Sequence, residues 1–148
     1  MNITIKHGNL LDSEMQTHVN AVNCVGVMGK GIALDFKKRY YNMFLDYRTK
    51  CALKQVRLGE PYIYQSKEQK IVNFPTKGHW CQSSKYVDVE DGLMYLAKHV
   101  EEWDITSIAM PLLGCGFGGL NYETILSLII KHMNPLNIPI ELYVSKTK

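Results

Sequence analysis

Three groups of residues in this chain have types and spacing suited to chemistry. The first is the run Asn20-Ala21-Val22-Asn23-Cys24-Val25-Gly26-Val27-Met28-Gly29-Lys30-Gly31-Ile32-Ala33. The second is Gly114-Cys115-Gly116-Phe117-Gly118-Gly119-Leu120. The third is Thr76-Lys77-Gly78-His79-Trp80, with Lys85 close behind. A glycine loop that leaves a strand and opens a helix brings backbone N–H groups up to an anion, because the missing side chains permit close approach and the helix N-terminus adds a favourable dipole. Asn20 and Asn23 each combine a carbonyl acceptor with N–H donors, a set suited to a sugar or a base edge. The first loop follows neither the G-x-x-x-x-G-K-[ST] nor the G-x-G-x-x-G pattern, so it either cradles a phosphate in another way or, like many glycine loops before helices, binds nothing.

The hydrophobic pattern says what positions these residues. Met1 to Lys6 alternates, with Ile3 and Ile5 against Asn2, Thr4 and Lys6, and reads as a strand. Asp12 or Ser13 can cap a short turn after it. The small and β-branched Val19, Ala21 and Val22 suit a strand buried on both faces. A helix then runs from Gly31 to about Tyr40 with Ile32, Ala33 and Phe36 on one face, and a second from Tyr40 to Lys54 carries Met43, Phe44, Tyr47, Cys51 and Ala52. After the break at Gly59-Glu60-Pro61, residues 62–65 and 70–74 read as strands, the latter stopped by Pro75. Val87 to Trp103 is the longest helix, buried through Val89, Leu93, Leu96 and Val100. A short strand from Ile105 to Met110, a helix from Tyr122 to Met133 and a strand from Ile138 to Val144 complete the chain. Alternating strands and helices predict a three-layer α/β/α sandwich on a mixed sheet, with both glycine loops opening on one crevice at the carboxyl ends of the strands.

Composition bounds the rest. The 148 residues make one domain, 1–148, with 46% apolar residues and a mild net charge of +3. No apolar run approaches the roughly 20 residues needed to span a membrane, so no membrane partner is expected. The chain begins directly with a strand and not with a signal peptide. Its four cysteines show no C-x-x-C spacing, which suggests neither zinc nor a redox dithiol. Scattered thiols fit a reducing compartment, and a cytoplasmic protein is expected.

V-N-A-V-N at 19–23, G-V-M-G-K-G-I-A at 26–33 and P-L-L-G-C-G-F-G-G-L at 111–120 resemble the macrodomain family over essentially the whole chain. F-P-T-K-x-H-W at 74–80 and G-N-L-L at 8–11 narrow the resemblance to antitoxin macrodomains of the DarG type, which strip ADP-ribose from thymidine bases in DNA. The resemblance implies a glycohydrolase that acts on ADP-ribosylated single-stranded DNA, reversing DarT-type modification, without cofactor or metal, as a monomer. DarG proteins carry a further C-terminal domain that neutralises their toxin. This sequence ends after the macrodomain, so a fragment or a free-standing domain is expected, and the toxin–antitoxin role of that domain is not carried over. Terminal ADP-ribose glycohydrolases pair a lysine with an aspartate that corresponds to Gly118, and MacroD-type hydrolases carry an aspartate where Ala33 stands. Neither aspartate mechanism transfers.

The same resemblance distributes roles. Gly8, Asn9 and Leu10 would border the adenine, with Asn9 in place of an acidic residue; Asn9 equally suits a turn. Tyr143 either stacks on adenine or belongs to the core. Met28 would border the ADP-ribose, and the diphosphate would lie on backbone N–H groups of Gly29, Lys30, Gly31, Ile32 and Ala33 and of Gly114, Cys115, Gly116, Phe117, Gly118 and Gly119, walled by Phe117 or Leu120. Lys30 reaches a phosphate or remains solvated. Asn23 is assigned to the distal ribose, and Asn20 to holding the loop. Lys77, beside Thr76, is the catalytic candidate: it can hydrogen-bond the departing thymine or attack the anomeric carbon. Asp35 and Glu123 remain as carboxylates that could activate water. His79, Trp80, Lys85 and Tyr86 form a basic, aromatic cluster suited to an unpaired base and its backbone, unless Trp80 packs over the long helix. Two rivals share the cradle: hydrolysis of ADP-ribose 1''-phosphate or of ADP-ribosyl esters, and a non-catalytic ADP-ribose reader.

Overall fold

The computed structural model describes residues 2–144, and Met1 of the expected first strand lies outside them. Among the described residues the strands are β1 (Ile3–Lys6), β2 (Thr17–Asn23), β3 (Tyr62–Gln65), β4 (Lys70–Lys77), β5 (Ile108–Pro111) and β6 (Ile140–Tyr143). The α-helices are α1 (Gly31–Arg39), α2 (Tyr41–Ala52), α3 (Tyr86–His99) and α4 (Tyr122–Met133). The strands form one sheet in the order β1-β6-β5-β2-β4-β3, parallel throughout except for β3, which pairs antiparallel with β4. This is the expected α/β/α sandwich on a mixed sheet.

Side-chain alternation along the inner strands builds two cores. Val19, Val72, Phe74, Ile108 and Met110 point to one face and meet Val89, Leu93 and Leu96 of α3 and Ile125, Ile129 and Met133 of α4. Their neighbours Val22, Ile71 and Ala109 point to the other face, towards Phe36 of α1 and Met43, Phe44 and Tyr47 of α2. That second face carries a buried polar pair. Asn20 and Asn73 stand opposite each other on β2 and β4, and Asn20 Nδ2 donates to Asn73 Oδ1 at 3.1 Å. Asn73 Nδ2 in turn donates to the Tyr62 hydroxyl at 3.1 Å. Asn20 is thus a residue of the sheet interior.

Several boundaries differ from the sequence reading. α2 spans Tyr41–Ala52 and not Tyr40 to Lys54, because the chain turns at Lys54 (φ +59°). β5 spans Ile108–Pro111 and not Ile105 to Met110, because Ile105 closes the turn after α3, and β6 spans Ile140–Tyr143 and not Ile138 to Val144. Pro75 does not stop β4, which continues to Lys77. β3 accompanies β4 only as far as Asn73, so at Pro75 the strand has β2 alone beside it and a missing N–H is tolerated. α3 ends at His99 rather than Trp103, because the chain turns through Asp104 at φ +53° and closes with Ile105 N–H on the Val100 carbonyl at 3.0 Å. The turn after β1 is a 3-10 helix, Leu10–Asp12, capped by Asn9 and not by Asp12 or Ser13.

Candidate functional site

All three chemical groups sit at the carboxyl ends of strands. β2 delivers the first glycine loop, β5 the second, and β4 ends on Lys77. In the sheet β2 lies between β5 and β4, so these ends are neighbours. On the far side, β1 leads to Gly8, Asn9 and Leu10, and β6 ends on Tyr143. From β1 to β4 the edge covers four strand spacings, about 19 Å at about 4.8 Å each.

The first loop is knotted around Asn23. Its Oδ1 accepts from Val25 N–H at 3.0 Å and from the Tyr47 hydroxyl at 2.7 Å, and its Nδ2 donates to the Val27 carbonyl at 2.8 Å. Asn23 therefore shapes the loop, and of its amide one Nδ2 hydrogen is left for a sugar hydroxyl. Met28 is buried, with its sulfur 3.8 Å from Asn20 Nδ2, so its side chain belongs to the core. Helix α1 opens at Gly31 without a capping side chain or an acidic residue in its first turn. Its leading N–H groups are therefore open to an anion.

The second loop closes on itself and on Ser84. Leu120 N–H donates to the Gly114 carbonyl at 2.9 Å, Gly119 N–H to Gly116 at 3.2 Å, and Cys115 N–H to Leu112 at 3.3 Å. These three groups are unavailable to a diphosphate, whereas the N–H groups of Gly114, Gly116, Phe117 and Gly118 have no partner among the described residues. Ser84 N–H donates to the Gly118 carbonyl at 3.0 Å, and the buried Ser84 Oγ lies so close to Gly118 that a Cβ there would collide with it. Gly118 thus leaves no room for a side chain in this loop geometry. Burial pushes the Cys115 thiol up to about 11, so it is no nucleophile at neutral pH.

The two loops touch. Lys30 Nζ lies 5.2 Å from the centre of the Phe117 ring, and Gly31 (φ +58°) is so near that ring that a Cβ would stand 3.2 Å from it. Lys30 therefore bridges the loops by a cation–π contact, and Phe117, 68% exposed, forms the outer wall.

Lys77 is half-buried and stands opposite Asn23 in the sheet register. The next residue, Gly78, accepts from Cys24 N–H at 3.0 Å, which pins the end of β4 to the foot of the first loop. Thr76 is buried beside it. The chain then forms a small loop in which the His79 and Gln82 backbones bond each other's residues at 3.0 Å. His79 and Trp80 project from it with ring centres 5.0 Å apart. Trp80 is 53% exposed and does not belong to the core over α3. Lys85, exposed, precedes α3. Asp35 and Glu123 are exposed on α1 and α4.

At the other end, Asn9 Oδ1 caps the 3-10 helix by accepting Leu11 N–H at 3.0 Å. The turn role is the one Asn9 fills here. The Tyr143 hydroxyl donates to Glu141 Oε1 at 2.8 Å, and its ring packs at the margin of the second core. Sequence reasoning missed the roles of Tyr47 and Ser84, and it placed Tyr86 in the basic, aromatic cluster, whereas the Tyr86 hydroxyl accepts Asn121 N–H at 2.9 Å behind the second loop. Tyr47 read only as part of an apolar helix face, and its hydroxyl among apolar neighbours was the available signal. Among the described residues no cluster of His, Cys, Asp or Glu is arranged to hold a metal ion.

Residues 19–129 match the Macro domain family, and the chain belongs to it. Within that family it falls with the DarG macrodomains. The macrodomain of Mycobacterium tuberculosis DarG superposes with a TM-score of 0.93 at 39% identity, covering 95% of this chain and 96% of that one. Thermosipho africanus DarTG, solved in complex with ADP-ribose, gives 0.95 at 31% identity over 99% of this chain and 42% of its own. A Mycobacterium tuberculosis protein named DNA ADP-ribosyl glycohydrolase is 43% identical over 127 residues, 83% of this chain and 36% of that protein. The chain thus spans about a third of the length of such curated relatives.

Proposed function

We propose that this chain is an ADP-ribosylglycohydrolase that releases ADP-ribose from thymidine bases of single-stranded DNA. The observation that carries the reading is the position of Lys77: half-buried, opposite Asn23, and one residue from the contact that joins β4 to the first glycine loop. The names of the DarG relatives, and the ADP-ribose held by one of them, support the same reading.

The ligand would lie along the strand ends, with adenine towards Tyr143, the diphosphate on the α1 N-terminus and the free N–H groups of the second loop, and the distal ribose at the remaining Asn23 hydrogen and Lys77. Cleavage of an N-glycosidic bond develops positive charge on the sugar and negative charge on the departing base. A Lys77 N–H donated to that base stabilises the departing charge; water adds its hydroxyl to the anomeric carbon to give ADP-ribose, its proton restores N–H on the thymine, and the thymine remains attached to the strand beside Trp80. Stacking on Trp80 suits an unpaired base, which needs no extrusion from a duplex. We also read the protein as a monomer of a reducing, cytoplasmic compartment, supported by its four unpaired cysteines.

The test is a comparison of substrates. The protein is incubated with a single-stranded oligonucleotide ADP-ribosylated on thymidine, with an ADP-ribosyl ester and with ADP-ribose 1''-phosphate. Release of ADP-ribose from the oligonucleotide well ahead of turnover of the other two is expected. Turnover of the ester or the 1''-phosphate alone would overturn the proposal, as would binding of ADP-ribose without any turnover.

A further inference from the structure

The crevice continues past Lys77. On the α2 side of the β4 end lies a cleft of about 570 Å³ lined by Cys24, Val25, Arg48, Cys51, Lys54 and Arg57. Its position follows from chain direction. α1 starts at the crevice and runs away from it, so α2 returns and brings its last turns to the crevice end. Arg48 Cγ and Cys51 Cβ consequently stand 3.5 and 3.6 Å from the position a Cβ would take on Gly26. Cys24, in the cleft wall, donates its N–H to Gly78, the neighbour of Lys77. The cleft therefore begins within one residue of the proposed reaction centre.

Its lining carries three cations, and the carboxylates nearest to it are Glu60, 3.8 Å from Arg57, and Asp88 of α3, whose charge acts on the Cys24 thiol. Arg48, Lys54 and Arg57 are all exposed. Arg48 is held over the Phe44 ring at 5.5 Å, and Arg57 meets Glu60 only at 3.8 Å in solvent. Val25, 45% exposed, offers an apolar step between these cations and the crevice. A substrate base that belongs to a polymer must have its strand leave the site in two directions. Trp80 and Lys85 offer contacts to one side of that strand, and the cleft beside Cys24 offers a basic course for the other.

Resting on the function proposed above, we infer that this cleft is a track for the phosphodiester backbone of single-stranded DNA, with Arg48, Lys54 and Arg57 as its phosphate contacts. The ligand class follows from the charge: a row of cations next to a nucleotide site suits consecutive phosphates, and each contact releases counterions. The track adds affinity for the polymer and none for free ADP-ribose.

The experiment measures anisotropy of a short fluorescein-labelled oligothymidylate over a sodium chloride series. Wild type is compared with the triple variant Arg48→Gln/Lys54→Gln/Arg57→Gln. A charge-matched control, Lys38→Gln/Lys67→Gln/Lys98→Gln, removes the same charge at the opposite end of the strands. Calorimetry with ADP-ribose reports that each protein is folded. Three lost contacts should lower the salt slope by about 2 and the affinity by about tenfold or more, with the control close to wild type. Should the triple variant fold poorly, Lys54→Gln and Arg57→Gln alone, both outside the helices, should each show a fraction of the loss. Wild-type binding that the cleft variants leave unchanged, or that the control weakens equally, overturns the track alone. Failure of wild type to bind the oligonucleotide overturns the DNA reading together with the track.

Discussion

At the scale of single residues, the site is built as much by what is excluded as by what is present. Gly118 is held against Ser84 Oγ and the Gly114 carbonyl, so the second loop keeps its N–H groups facing outward with no side chain in the way. Gly118→Ala should therefore cost about 1–3 kcal/mol of stability and weaken ADP-ribose binding. Thermal melting and calorimetry check this; a variant with wild-type melting and affinity would show that the loop has room after all. The motif residues were legible in the sequence because glycine runs and a lysine after Phe74-Pro75-Thr76 are local patterns. The allocation of hydrogen bonds was not. Asn23 was assigned to a ribose, yet its oxygen is held by Val25 and by Tyr47, which lies on a different helix. Ser84 carried no local signal, since its role arises from a contact with residues far along the chain.

At the scale of elements, helix termini decide how rigid the cradle is. α1 is left without a side-chain cap where a diphosphate is proposed to bind, whereas α4, which follows the second loop, is closed by Asn121 Oδ1 accepting Thr124 N–H at 3.0 Å. Asn121 N–H is bound in addition by Tyr86 from α3. Asn121→Ala should cost about 1 kcal/mol and raise amide exchange in residues 114–124 before it changes exchange in α3. Uniform change across both helices, or none, would contradict a local cap. Element types were readable from periodicity, but their ends were less so. Pro75 looked like a stop because a proline interrupts a ladder. That rule applies only where strands flank both sides, and the short reach of β3 is a tertiary fact.

At the scale of the whole molecule, one sheet places five strand ends in a row, and the proposed ligand follows that row from Tyr143 to Lys77. The sandwich itself was legible from the alternation of elements, whereas the strand order that puts β2 between β5 and β4 was not, because it depends on crossovers. The same interior sets the response to acid. His18 is buried, with Nε2 on the Ser13 carbonyl at 3.0 Å and Nδ1 without a partner, and burial holds its pKa below 6.5. The stability contributed by the neutral ring is complete above pH 6.5 and is lost as pH falls from there through the ring's lower folded value. Glu141 resists burial through its bonds from Ser13 and Tyr143 and stays below 4.5, so its contribution is lost only at still lower pH. Melting temperature should fall between pH 7.5 and 5, and His18→Gln should flatten that fall; a wild-type melting temperature that holds or rises over this range would contradict the assignment. The central claim is that a lysine at the end of β4 performs the cleavage while the glycine loops bind. The most direct measurement is single-turnover release of ADP-ribose from a thymidine-modified oligonucleotide by Lys77→Ala, with ADP-ribose affinity measured on the same sample. The account predicts a loss of rate of about a hundredfold or more with affinity nearly unchanged. An unchanged rate, or a loss of rate and affinity in equal measure, would contradict it.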